Sequence, residues 1–69
     1  MTPGMLRQLW YLVENTQAPL LLSKDDPSLV EWLLRQMSQR RSLEAGETEL
    51  LGAYIRSKTS LIRDLAAQR

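Results

Sequence analysis

The chain has 69 residues, 9 basic and 8 acidic side chains for a formal net charge of +1, and 43% hydrophobic residues. That is a globular balance with room for one domain, 1–69. Cysteine, histidine and phenylalanine are missing, which removes disulfides, thiol nucleophiles, imidazole bases and the common structural zinc sites.

In chain order, Thr2-Pro3 reads as a helix start, with a capping hydroxyl followed by a residue pre-organised for the first turn. Leu6, Leu9, Trp10 and Val13 then recur at helical spacing, with Met5 and Leu12 at the edges of the face. Trp10 is expected in the core, and Tyr11 falls on the polar side. Pro19 disfavours helix at Ala18, so the first helix is expected over 3–17.

Residues 17–26 read as an irregular linker containing the longest apolar run, Leu20-Leu21-Leu22. Three consecutive leucines cannot all face one way on a regular element. They either fold back over the open end of a bundle or offer a contact surface. The run is also far short of the about 20 apolar residues that a membrane span needs, and no basic stretch precedes an apolar one as in a secretory signal. A cytoplasmic protein without a membrane span is expected.

Asp26-Pro27 is the next punctuation, with Asp26 as the expected cap of a second helix over 27–41. Its apolar face is Leu29, Val30, Leu33, Leu34 and Met37. Trp32 lies about 130° from the centre of that face, which makes it a candidate contact with another chain, since aromatic anchors are enriched at binding hot spots. The other reading is a half-wet tryptophan resting on its own helix.

Ser42 or Glu44 opens a third helix, expected over 45–67 as the longest of the three. Leu50, Leu51, Tyr54, Ile55, Leu61, Ile62, Leu65 and Ala66 form one stripe within about 160° of arc. Lys58 falls near its middle. Its stem can pack while the ammonium reaches water; the sharper reading pairs it with Glu47 or Asp64 across an interface and fixes a register.

The expected fold is therefore all-α, three amphipathic helices in a small bundle. Below about 70–80 residues a single core contributes only a few kcal/mol. With disulfides and metals excluded by composition, self-association into a homodimeric bundle is the expected supplement. Leu20, Leu21, Leu22, Trp32, Tyr54 and Lys58 are the interaction candidates.

Chemistry is thinly supplied. Lys24, Lys58, the carboxylates, two tyrosines and hydroxyls remain, on a chain too small to wall off a pocket, so neither an enzyme nor a cofactor is expected. An active site formed only between copies is a weaker rival. Asp25, Asp26 and Glu31 form an acidic cluster, but they lack the spacing of a calcium loop and Asp26 is explained by capping. The three glycines are too scattered for a phosphate cradle.

Arginine outnumbers lysine 7 to 2. A nucleic-acid-binding helical domain using Arg35, Arg40 and Arg41 with Arg56 and Arg63 is the alternative from a different class. Against it stand the small net charge and the acidic residues Glu47, Glu49 and Asp64 interposed along the helix that would read the nucleic acid. The preferred expectation is a small helical protein–protein interaction module, an adaptor or regulatory subunit for a larger protein.

Overall fold

The computed structural model describes residues 2–69 and is all-helical, with α1 over Pro3–Asn15, α2 over Ala18–Leu22, α3 over Asp26–Arg40, α4 over Ala45–Ser57 and α5 over Thr59–Ala67. The expectation of three helices is corrected to five among the described residues. The additions are a short helix inside the expected linker and a break in the expected third helix.

The first helix begins as its sequence indicates. Thr2 is the cap, and its hydroxyl accepts from the Met5 amide at 3.2 Å, with Pro3 in the first turn. It ends at Asn15, where the Thr16 hydroxyl turns back and donates to the Leu12 carbonyl at 2.7 Å. Ser, Thr and Asn side chains near a helix end compete in this way for backbone partners.

The expected linker holds α2 because Pro19 sits in the first turn of a helix, where its missing N–H costs nothing. The leucine run is thereby divided: Leu21 is fully buried, while Leu20 and Leu22 remain 39% and 44% exposed. The cap of α3 is Asp25, not Asp26. An Asp25 carboxylate oxygen accepts from the Ser28 amide at 2.9 Å, and Asp26 is the first helical residue. These hydrogen bonds from Ser28 hold the Asp25 carboxyl below its ordinary value. Between the two candidate starts for the next helix, Glu44 is the cap, and its own amide donates to a Glu47 carboxylate oxygen at 3.2 Å.

The expected third helix is interrupted at Lys58, which ends α4 and begins α5 with φ −114° and ψ 8°. The cause is local. The Ser57 hydroxyl donates to the Tyr54 carbonyl at 2.6 Å, and the Thr59 hydroxyl donates to the Arg56 carbonyl at 3.3 Å. Hydroxyls that engage the preceding turn weaken the regular ladder. With this division α3, at 15 residues, becomes the longest helix.

All five helices contribute to one core. Met5, Leu9 and Val13 of α1, Leu21 of α2, Leu29, Leu33 and Met37 of α3, Leu51 and Ile55 of α4, and Ile62 of α5 have no exposed surface. The i, i+4 rows within α1, α3 and α4 are what helical geometry brings to one face. In pairs, α2 packs on α5, and α3 packs on α1, α4 and α5. Gly52 permits the close approach of α4 to α3, since a Cβ there would lie 3.3 Å from Leu34 Cδ1. No helix among the described residues is long and apolar enough to cross a membrane.

Candidate functional site

Two surfaces stand out, and both arise from apolar side chains that the five-helix core does not cover. The first is the unburied half of the stripe expected on residues 45–67. Leu51, Ile55, Ile62 and Ala66 are buried, whereas the residues one position earlier, Leu50, Leu61 and Leu65, remain 57%, 45% and 39% exposed. The neighbours within the chain cover one row of the stripe. Tyr54, the fourth member of the open row, is half-buried because Trp10 lies against it.

Leu61 and Leu65 are one turn apart on α5 and therefore share a flank. Since α2 packs on α5, Leu20 and Leu22 add partly exposed apolar surface on the neighbouring element.

The second surface is the outward side of α1. Trp10, expected in the core, is instead half-buried at its edge. Its indole N–H donates to the Tyr54 hydroxyl at 3.1 Å, and the rings meet edge-on with centroids 6.4 Å apart. An open groove of about 580 Å³ runs beside this pair, lined by Leu6, Arg7, Trp10, Tyr11, Glu14 and Tyr54. On the other side of Tyr11 lies a second recess of about 390 Å³, lined by Arg7, Gln8, Tyr11 and Arg40. Arg7 and Tyr11 border both, so they form a ridge with an apolar groove on one side and a basic recess on the other. Tyr11 is 61% exposed.

The remaining candidates have local partners. Trp32 is half-buried against the core, and the Lys24 ammonium lies 5.8 Å from its ring centre, within range of a cation–π contact. Lys58 is half-buried at the α4–α5 joint with its ammonium 5.8 Å from the Tyr54 ring centre. The only ion pair among the described residues joins Arg63 to Asp26, so Lys58 makes none with Glu47 or Asp64 within this chain.

The arginines named in the nucleic-acid reading take different local surroundings. Arg63 pairs with Asp26, and its Nη2 donates to the Lys24 carbonyl at 3.0 Å. Arg56 shares a groove with Asp26 and Glu31. Arg41 Nη1 donates to Gln8 Oε1 at 3.4 Å. Arg69 donates through Nη2 to the Val13 carbonyl at 2.6 Å and through Nη1 to the Thr16 carbonyl at 2.5 Å. Arg35 is exposed, whereas Arg40 is brought next to Arg7.

The neighbourhood of Arg7, Tyr11 and Arg40 escaped the sequence reading because it joins α1 to the far end of α3. The one available signal was the i, i+4 spacing of Arg7 and Tyr11 on the polar side of the first helix. Among the described residues no three carboxylates are placed to hold a metal ion. No protein-family model, curated protein or solved structure matches the chain.

Proposed function

We propose that this protein acts by contact, as a small non-enzymatic helical module that associates with itself and presents a surface to a larger protein. The observation that carries this reading is that Leu61 and Leu65, one turn apart on α5, stay partly exposed beside the buried Ile62 and Ala66. Large apolar side chains that stand together on a surface mark sites of association more often than isolated ones do.

Self-association through the α5 flank, with Leu20 and Leu22 of α2 alongside, would remove that surface from water. Each fully covered leucine would contribute at most about 1.5–3 kcal/mol, less here because these side chains are already partly covered. Four such side chains therefore supply useful association energy before the entropy of docking is subtracted. The chemistry left by the missing histidine and cysteine, and the open form of the grooves beside α1, also favour contact over catalysis.

A dilution series followed by amide NMR tests the reading. Resonances of α5 and α2, those of Leu61, Leu65, Leu20 and Leu22 above all, are expected to move with protein concentration. Resonances of the buried face of α3 are expected to stay fixed. Spectra independent of concentration would overturn self-association through this flank.

A further inference from the structure

We infer that the α1 ridge is a docking site for an acidic segment of a partner protein, with carboxylates received by Arg7 and Arg40 and apolar side chains by Trp10 and Tyr11. The inference rests on the reading of this chain as a contact protein and names the chemistry of what it contacts.

Charge complementarity decides the occupant. The recess between α1 and the end of α3 is lined by two guanidinium groups, an amide and a tyrosine ring, with no carboxylate in its wall. Arg7 and Arg40 are both exposed and take no part in the one ion pair found among the described residues. Arg41, held to Gln8 at the rim, adds a third positive charge. The planar guanidinium forks match carboxylates in a two-point geometry.

The groove that shares Tyr11 offers the apolar and aromatic surface of Leu6, Trp10 and Tyr54, with Glu14 also in its wall. A segment that crosses the ridge thus meets cations on one side and aromatic rings on the other. Arginine, tryptophan and tyrosine are the residue types enriched where binding energy concentrates. A nucleic-acid backbone fits less well, because its charge repeats along its length while Glu14 faces the groove and the remaining arginines are dispersed over other faces.

The test is a selection of random displayed peptides on the immobilised full chain, followed by titration of the selected peptides against tryptophan fluorescence. Selected peptides are expected to be rich in Asp and Glu beside a large apolar residue, and to bind less tightly as salt rises. Their affinity is expected to fall about tenfold or more in Arg7→Gln with Arg40→Gln, and also to fall in Tyr11→Ser. All three side chains are exposed, and an unchanged helical circular dichroism spectrum shows that each variant is folded.

Peptides without an acidic excess, no enrichment at all, or binding unchanged in the variants would overturn the inference. So would displacement by short duplex DNA at equal affinity, or movement of the Arg7 and Tyr11 resonances on dilution of the protein alone, which would assign the ridge to a second copy. Introduction of charge on the α5 flank, Leu61→Asp with Leu65→Asp, separates the two readings. It is expected to abolish self-association and to leave peptide affinity unchanged.

Discussion

The Trp10 indole N–H donates to the Tyr54 hydroxyl at 3.1 Å, with the two rings set edge to face. The pair links α1 to α4, two helices that each pack against α3 and share little other contact. Tyr54→Phe keeps the ring and removes the acceptor. The expected loss is about 1 kcal/mol, the usual net value of such a bond, read as a melting temperature lowered by about 4–8 °C for a domain of this size. An unchanged melting temperature would mean that water replaces the hydroxyl at no cost.

Leu33 and Leu65 should separate core from surface. Leu33 is fully buried in the centre of α3, whereas Leu65 is 39% exposed. Leu33→Ala is expected to cost about 2–5 kcal/mol, a large part of the whole stability of so small a domain. Leu65→Ala should cost well under half as much at a protein concentration where the chain is dissociated. Urea denaturation of both variants checks the contrast.

Asp25 makes acid stability depend on one exposed cap. Hydrogen bonds from Ser28 to its carboxylate lower its pKa below the ordinary 3.8, with Arg63 adding a smaller effect in the same direction and burial opposing. A carboxyl whose pKa is lower in the folded state stabilises the fold fully above its unfolded value and loses that contribution as pH falls through the folded value. Asp25→Ala should therefore melt lower than the parent at neutral pH, and the difference should shrink as pH drops below about 3.8. Thermal melts from neutral pH to strong acid measure it.

Arg69 completes the end of α1 from a distant part of the chain. Its guanidinium donates to the carbonyls of Val13 and Thr16 at the end of the helix, and it places positive charge at the negative end of that helix. Arg69→Met keeps the stem and removes these donors. The expected loss is about 1 kcal/mol, with faster amide exchange confined to the last turn of α1 and to α2. Uniformly faster exchange would instead indicate a global effect.

Much of the fold is legible in the residues. The Thr2-Pro3 start, the α1 positions Leu9 and Val13, and the α3 face of Leu29, Val30, Leu33 and Met37 follow from capping chemistry and helical period. The break at Lys58 is harder to read, because the stripe continues in phase across it and only Ser57, Thr59 and Ser60 mark the place. The short α2 is concealed by Pro19, which can end one helix or begin another.

The exchange of roles between Trp10 and Met5 was not accessible either. Trp10 falls within the periodic face and Met5 at its edge, and which one is covered depends on the angle at which α3 crosses α1. The same limit applies to the candidate surfaces. Periodicity gives the width of the stripe on residues 45–67, but packing decides that Leu51 and Ile55 go inward and Leu50 stays out. The approach of Arg40 to Arg7 requires the antiparallel return of α3, which no spacing within the chain encodes.

The most direct measurement is the solution mass by light scattering behind a sizing column, across a wide concentration range, for the parent chain and for Leu61→Asp with Leu65→Asp. The parent is expected to run as a dimer that dissociates on dilution, and the double variant as a folded monomer throughout. A parent chain that stays monomeric at every concentration, or a double variant that remains dimeric, would contradict association through the open leucine row.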